Sequence, residues 1–190
     1  MKTELMLSAL LLTAGAPAKG EAPMNKPVVE MKTSMGTITV ELDAEKAPKT
    51  VENFLQYVKD RFYDGTVFHR VIPDFMIQGG GHDVSLAKKP TRAPIKNESK
   101  NGLKNLKGTI AMARTNDPNS ATAQFFINLK DNVFLDYKGD AGSEVGYCVF
   151  GKVTAGMDVV DKIKSVPTGM KNGMGDVPVQ NVVIESVRLK

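Results

Sequence analysis

Residues 68–81 read FHRVIPDFMIQGGG, and this stretch combines a strand pattern with an unusually placed charge. Pro73 and Asp74 separate two strand candidates, TVFHRVI and FMIQ, because turn residues of this kind interrupt extended runs. Arg70 lies within the first candidate, in a run that is mostly apolar. A guanidinium is never deprotonated, so its burial is costly unless it is paired or serves a function. The stretch therefore predicts two strands and raises the question of what Arg70 does.

Regular spacing elsewhere in the chain predicts more strands and two helices. Further strands are predicted at 36–42, 108–113, 124–129, 147–153 and 182–189. Val51, Phe54, Leu55 and Val58 recur at helical spacing, and a second, shorter helix is predicted over 157–163. Many short strands with two helices indicate a mainly β domain, either a barrel or a sandwich with helices at its ends.

The composition argues against several classes of function. The 190 residues carry a net charge of +4 without runs of like charge, so nucleic-acid binding is not expected. Cys148 is the only cysteine and is interpreted as core packing, and with only two histidines neither a metal site nor a cofactor is expected. No nucleophile-elbow or nucleotide-binding motif is present. The glycines of QGGGHD (78–83) lack the lysine of a phosphate-binding loop and are interpreted as a tight turn.

Residues 1–18 have the pattern of a secretory signal peptide. Lys2 precedes an apolar stretch from Leu5 to about Ala16, and small residues follow at the spacing of a cleavage site. This stretch is too short for a permanent membrane anchor, so no stable membrane insertion is expected after cleavage. Residues 19–27 are interpreted as a flexible linker before a domain at 28–190. A secreted, periplasmic protein is expected, and a cytoplasmic protein with a packed or disordered tail is the alternative.

The surroundings of Arg70 suggest one kind of reaction. A fixed cation among apolar side chains suits a reaction that redistributes charge without a nucleophile, and rotation about an X–Pro amide is such a reaction. In the twisted transition state the nitrogen lone pair is released from the carbonyl. A guanidinium N–H donated to that lone pair stabilises the twisted amide more than the planar one. On this pattern alone, a structural ion pair of Arg70 is an equally good explanation.

Four motifs, in order, extend this interpretation. The segments FHRVIPDFMIQGGG, GTIAMART, SATAQFFINL and VFGKVTAGMDVVDKI resemble those of the cyclophilins, the cyclosporin-binding class of peptidyl-prolyl cis-trans isomerases, and especially of bacterial members. The resemblance runs from about Val29 to Leu189. It implies a mainly β fold, a closed eight-stranded antiparallel β-barrel capped by two α-helices, with the site on one outer face.

The resemblance also implies the residues of the site. Arg70 matches the catalytic arginine, and Gln78 matches a glutamine that bonds the substrate carbonyl and helps to orient the arginine. His69 matches a position on the opposite strand face and is interpreted as structural. The substrate-binding residues expected in this way are Phe75, Met76, Gln78, Ala113, Arg114, Gln124, Phe126, Phe134, Leu135 and Tyr147.

Three positions depart from the best-known eukaryotic members. Phe134 stands where they carry tryptophan, Tyr147 where they carry histidine, and Arg114 with Thr115 where they carry an asparagine-alanine pair. These changes leave the arginine and the proline pocket intact, so isomerisation is still expected. Weak cyclosporin binding is expected, because a phenyl ring cannot replace the N–H donor of an indole.

The function expected from these arguments is the isomerisation of X–Pro bonds during the folding of exported proteins. The expected partners are proline-containing peptides and unfolded or partly folded proteins, and a monomer without a cofactor is expected. A proline-peptide binding module or chaperone with incidental catalysis is the alternative. A carbohydrate-binding barrel is disfavoured, because the chain has no Trp and only four Tyr.

Overall fold

The computed structural model describes residues 26–190, and eight of its strands close into an antiparallel barrel. In chain order the elements are β1 (Val28–Thr33), β2 (Gly36–Leu42), α1 (Pro48–Lys59), β3 (Thr66–Ile72), β4 (Met76–Asp83), β5 (Thr109–Met112), β6 (Phe125–Asn128), β7 (Val149–Ala155), α2 (Met157–Lys164), β8 (Thr168–Lys171), β9 (Met174–Pro178) and β10 (Val183–Leu189). The order around the barrel is β1-β10-β3-β4-β6-β5-β7-β2, and β8 pairs with β9 in a separate hairpin. The predicted mainly β class, with eight barrel strands and two helices, is confirmed. The predicted signal peptide (1–18) and most of the predicted linker (19–27) lie outside the described residues.

Alternate residues of the strands point into a shared apolar core. Val29 and Met31 of β1 are fully buried, as are Ile38, Val40 and Leu42 of β2. The intervening positions of both strands are half-buried or exposed. The alternation seen in the sequence at 36–42 is therefore the alternation between core and outer face.

Helix α1 closes one side of this core. Val51, Phe54 and Val58 of the predicted stripe are buried, and the Phe54 ring centroid lies 5.1 Å from that of Tyr63 and 5.3 Å from that of Phe150. The fourth member of the stripe, Leu55, is half-buried. Within residues 26–190 neither helix is long and apolar enough to cross a membrane.

The start of α1 is stabilised from a distant loop. Pro48 occupies the first turn, where its missing N–H leaves no bond unmade, but Ala47 offers no capping side chain. The carboxylate of Glu98 accepts hydrogen bonds from the N–H groups of Lys49 and Thr50 at 3.2 and 2.8 Å. An anion at this end also interacts favourably with the helix dipole.

Strand β4 differs from its prediction. The glycines of QGGGHD predict a tight turn, but β4 continues through them to Asp83. The backbone of Gly80 has φ +81°, and a Cβ atom there would lie 2.7 Å from the Phe125 ring and 2.9 Å from that of Tyr63. Glycine therefore serves to let core aromatic rings close onto the strand, rather than to reverse the chain.

The β8–β9 hairpin was not predicted, nor was β1 singled out as a strand. The hairpin segments TGMK and MGDVP contain Gly, Asp and Pro, which are weak strand formers. Their strand conformation depends on pairing with each other and on packing along β3, which a local pattern does not reveal.

A second apolar cluster lies outside the barrel. Met76, Ala111, Phe126, Leu135 and Val149 are buried together on the outer face of β4, β5, β6 and β7. The inward residues of these same strands, such as Ile77 and Ile127, belong to the main core. Because both faces are covered there, β5, β6 and the first residues of β4 and β7 are largely apolar rather than alternating. The outer cluster forms the floor of the candidate site.

Candidate active site

The site is built on one row of residues that crosses four strands. Arg70 of β3 is the cross-strand partner of Gln78 of β4, which pairs with Phe126 of β6, which in turn pairs with Ala111 of β5. Directly opposed residues share a face of an antiparallel sheet. The barrel therefore places a guanidinium, an amide and an aromatic ring side by side on its outer surface.

A pocket of about 260 Å³ opens over this row. Its lining residues are Arg70, Phe75, Met76, Gln78, Ala113, Arg114, Phe126, Leu135 and Tyr147. Met76, Phe126 and Leu135 are buried and make an apolar floor, while the charged and amide groups stand around it. The structure thus brings nine of the eleven expected site residues together, and the other two, Gln124 and Phe134, lie beside them.

Arg70 escapes the cost of burial because its side chain points away from the core. The side chain is 44% exposed, and its Nε atom lies 3.5 Å from Oδ2 of Asp176 in β9. Its neighbours along the strand, His69 and Val71, are buried. The ion pair and the pocket position were alternatives in the sequence, and the structure shows that Arg70 has both.

Gln78 is oriented by a second glutamine. Its Nε2 donates a hydrogen bond of 2.8 Å to Oε1 of Gln124, and the backbone oxygen of Gln124 accepts from Ala113 N at 3.0 Å. A Cβ atom on Gly81 would lie 2.3 Å from Cγ of Gln124, so this glycine makes room for the pair. Gln124 therefore supports the pocket from behind and fixes which way the Gln78 amide faces.

Phe134 lies at the rim of the pocket. Its ring stacks on that of Phe75 with centroids 5.7 Å apart and an interplanar angle of 25°, and the residue is 57% exposed. The next residue, Leu135, turns inward to the floor. The two form part of a short 3-10 turn, Val133–Leu135, so adjacent side chains serve the rim and the floor.

Arg114 and Tyr147, two of the departures noted in the sequence, contact each other. The Arg114 guanidinium lies 4.5 Å from the centroid of the Tyr147 ring, and its Nε donates to the backbone oxygen of Gly146 at 3.1 Å. The Tyr147 ring in turn packs edge-on against Phe126, with centroids 5.7 Å apart. Arg114 and Tyr147 therefore form one packed wall of the pocket.

Sequence reasoning missed a buried network beneath the site and the carboxylate of Asp176. Asn132 donates to the Phe75 carbonyl at 2.9 Å and to Oδ1 of Asn128 at 2.8 Å, while Asn105 donates to Asp136 at 3.1 Å and accepts from Asn128 at 3.2 Å. All four members of this network are buried. No local pattern marks these asparagines, because three of the four bonds join residues at least 23 positions apart.

The histidines and the cysteine lie outside the pocket lining. Burial lowers the pKa of His69 to about 4, helped by the neighbouring His82, whose ring centroid is 4.2 Å away. Burial raises the pKa of the Cys148 thiol to about 11, so the thiol is protonated at neutral pH. Among the described residues no group of three or more His, Cys, Asp or Glu side chains could hold a metal ion. The pocket itself offers hydrogen-bond donors and apolar surface.

Comparisons with known proteins agree with this geometry. Residues 28–189 match the family described as cyclophilin type peptidyl-prolyl cis-trans isomerase/CLD. The chain is 61% identical over 161 residues to a peptidyl-prolyl cis-trans isomerase of Streptomyces antibioticus, covering 85% of this chain and 97% of that protein. It is 52% identical over 189 residues to a peptidyl-prolyl cis-trans isomerase of Acinetobacter baylyi, covering 100% of this chain and 95% of that protein.

The fold has a solved counterpart as well. A cyclophilin type peptidyl-prolyl cis-trans isomerase of Cryptosporidium parvum, crystallised in the presence of the dipeptide Ala-Pro, superposes with a TM-score of 0.70 at 24% identity. The match covers 86% of this chain and 98% of that one. The family match over nearly all of the described residues and the high identity to bacterial isomerases lead to one conclusion: this chain belongs to the cyclophilin-type peptidyl-prolyl cis-trans isomerases.

Proposed function

We propose that Arg70 catalyses X–Pro isomerisation by donating a guanidinium N–H to the prolyl nitrogen of the twisted amide. One observation carries this proposal: Arg70 lines the same pocket as the apolar floor of Met76, Phe126 and Leu135. A proline ring on that floor brings its own nitrogen to the wall that holds the guanidinium. The cation is then close to the one atom that becomes an acceptor during rotation.

The energetics fit catalysis by one charged donor, the Arg70 guanidinium. The barrier to rotation about the amide is roughly 18–20 kcal/mol and comes from resonance in the C–N bond. A rate gain of about 10⁵ requires about 7 kcal/mol of preferential stabilisation of the transition state. A charge-assisted hydrogen bond that exists only in the twisted form contributes to this difference, because it does not also stabilise the planar ground state.

Binding of the peptide is assigned to the remaining lining residues. A volume of about 260 Å³ lies just below the roughly 300–1,000 Å³ of pockets for small molecules, which suits one side chain of a longer peptide. Gln78 and the backbone at Ala113 supply polar contacts for the peptide main chain, and Phe134 with Phe75 covers the rim. The Cryptosporidium structure obtained with Ala-Pro supports proline peptides as the ligand class.

The proposed setting is the folding of exported proteins in the periplasm. Support comes from the sequence of residues 1–18, with Lys2, the apolar stretch after it and small residues at cleavage-site spacing. Slow X–Pro isomerisation limits the folding of many chains, so an exported isomerase would act on unfolded or partly folded clients there. Mass spectrometry of the protein recovered from whole cells tests this: an N-terminus within 17–27 supports export, and an intact Met1 contradicts it.

The test of the mechanism compares catalysis and binding in two arginine variants. We expect Arg70→Ala to lose most of the cis-to-trans rate of a short Ala-Pro peptide while still binding the peptide. Arg92→Ala is the matched control, because Arg92 pairs with Asp60 away from the pocket. If Arg70→Ala isomerises at the wild-type rate, the mechanism is wrong. If wild type binds the peptide without accelerating its isomerisation, the domain is a proline-binding module.

A further inference from the structure

The carboxylate of Asp176 approaches Arg70 from outside the barrel. Its Oδ2 lies 3.5 Å from Nε of the guanidinium, and among the described residues it is the only acidic side chain within ion-pair distance of Arg70. Nε is the inner nitrogen of the guanidinium, so the two terminal NH₂ groups remain available. Arg70 lines the pocket while this pair is formed. The pair and the catalytic orientation are therefore compatible rather than competing.

The hairpin that carries Asp176 is distorted at this residue. Gly169 pairs with Val177 and Lys171 with Met174, so one residue of β8 lies opposite two residues of β9, Gly175 and Asp176. This extra residue makes a β-bulge, a feature that redirects a side chain and occurs often beside active sites. Asp176 also has φ +59°, in the left-handed region that aspartate tolerates better than most residues.

The hairpin is fixed against the strands of the site. Val177, next to Asp176, is buried, and β9 packs along β3, the strand of Arg70. Asn172 at the hairpin turn donates to the Ser85 carbonyl at 3.3 Å, and Asn181 just after β9 donates to the Val84 carbonyl at 2.7 Å. These contacts join the hairpin to the segment after β4, so the carboxylate has a defined position relative to the pocket.

Stability of the fold does not explain this arrangement. The side chains of Arg70 and Asp176 are 44% and 47% exposed, and ion pairs with this exposure contribute little to folding. A bulge with a left-handed residue is itself unfavourable unless the surrounding structure imposes it. An arginine side chain has high rotamer freedom, so a fixed anion on its inner nitrogen narrows the directions in which its terminal N–H groups point.

We infer that Asp176 is a positioning residue that holds the Arg70 guanidinium toward the prolyl nitrogen. The inference rests on the proposed catalytic role of Arg70 and adds to it the β8–β9 hairpin as a functional element. Removal of the carboxylate should lower the isomerisation rate of the bound peptide more than the affinity for the peptide, because Asp176 does not line the pocket.

The test uses Asp176→Asn, which keeps the size of the side chain and its tolerance of left-handed backbone. Asp158→Asn is the matched control, since Asp158 pairs with Lys162 at the same N–O distance of 3.5 Å on α2. Exchange NMR on an Ala-Pro peptide gives kcat and KM. We expect Asp176→Asn to lower kcat about fivefold, the equivalent of one exposed ion pair, with KM and melting temperature unchanged. The control should retain wild-type values.

The double variant separates this inference from the mechanism itself. In an Arg70→Ala background, Asp176→Asn should cause no further loss of rate. An equal loss in both backgrounds, or an Asp176→Asn enzyme within twofold of wild type, would overturn the role of Asp176 and leave that of Arg70 intact. If Arg70→Ala alone keeps the full rate, the proposed mechanism fails and the positioning role fails with it.

Discussion

At the scale of single residues, the position of Arg70 depends on strand alternation and on a shift of the β3–β4 register between Phe68 and Arg70, which leaves Phe68 in the core although it is two residues from Arg70. His69 and Val71 on either side of it point to buried surroundings, whereas Arg70 reaches the outer face beside Gln78 and Phe126. A one-residue shift of β3 would place the guanidinium in the core and His69 in the pocket. The pairing with β4 and β10 fixes the register, so the fold itself determines which of two adjacent polar residues reaches the pocket.

Phe134 offers a test of ligand preference at the rim. Its ring is 57% exposed and stacks on Phe75, so a larger indole can occupy the same place without entering the core. We expect Phe134→Trp to strengthen cyclosporin binding by about fivefold to tenfold, because the indole supplies an N–H donor worth about 1 kcal/mol. Isothermal titration calorimetry of wild type and variant measures the difference. Phe134→Leu, which lacks the donor and the ring, should not gain affinity, and equal gains in both variants would contradict the argument.

At the scale of elements, the loop that carries Leu135 is held by the buried asparagine network. Asn132 joins this loop to the Phe75 carbonyl and to Asn128 of β6. Its own Oδ1 has no partner among the described residues. The Asn132 side chain thus links the loop of Leu135 to Phe75 at the rim of the pocket and to β6, the strand that carries Phe126 of the floor.

We therefore expect Asn132→Ala to destabilise the protein by about 1–2 kcal/mol and to lower kcat/KM. The variant leaves Oδ1 of the buried Asn128 without its donor, whereas the Phe75 carbonyl still accepts from the Leu129 N–H at 3.0 Å, and the loss of the unpaired Oδ1 of Asn132 offsets part of this cost. Urea unfolding measures the stability. Ser165→Ala is the control, because the Ser165 hydroxyl also donates to a backbone carbonyl, that of Asp161, but on the exposed surface of α2 and away from the site. Equal effects of the two substitutions would show that burial of the network has no special importance.

Elements with a strong local pattern were predictable, and those stabilised by distant contacts were not. The stripe of Val51, Phe54 and Val58 predicts α1 because burial alone fixes its spacing. The β8–β9 hairpin escapes prediction because its Gly, Asp and Pro residues favour turns, and pairing and packing on β3 override that preference. Asp176 was missed for the same reason, since nothing in MGDVP indicates that β3 is its neighbour.

The candidate site also divides into residues that a local motif predicts and contacts between distant segments that it does not predict. The resemblance identified Arg70 and the floor of the pocket, because the motifs around them are distinctive. It also implied that Gln78 helps to orient Arg70, which stays a prediction; the structure adds that the amide nitrogen of Gln78 donates to Gln124 and that the carboxylate beside Arg70 is that of Asp176. Both of these contacts join distant segments of the chain, and a motif of consecutive residues does not contain them.

At the scale of the whole molecule, the barrel separates a buried apolar interior from the outer face that carries the candidate site. His69 lies on the side of β3 away from the pocket, 6% exposed, with its ring against that of His82. Burial is the main cause of its lowered pKa of about 4, and the charges of His82 and Arg70 act in the same direction. The pKa of His82 is lowered as well, again mainly by burial. The fold therefore keeps both imidazoles neutral at pH 7.

These histidines predict a loss of stability in mild acid. An unfolded histidine titrates near pH 6.5, so between about pH 6.5 and pH 4 the unfolded chain binds a proton at His69 that the folded protein excludes. The contribution of His69 to the free energy of unfolding is therefore nearly constant from about pH 6.5 upward and falls as the pH is lowered toward 4. From the shift of His69, we expect a decrease of about 2 kcal/mol between pH 7 and pH 4.5. Urea unfolding at the two pH values measures it.

The pH range in which His69 lowers the stability differs from the range in which the carboxylates do so. The Arg188 guanidinium lowers the pKa of Asp64 below its ordinary value of 3.8, so the stabilisation from this pair is lost only in stronger acid. His69→Phe keeps an aromatic ring beside His82 but removes the titrating group, and it should reduce the difference between pH 7 and pH 4.5 by more than half. A wild-type protein equally stable at both pH values, or a His69→Phe variant that retains the full decrease, would show that the buried imidazole does not control stability in this range.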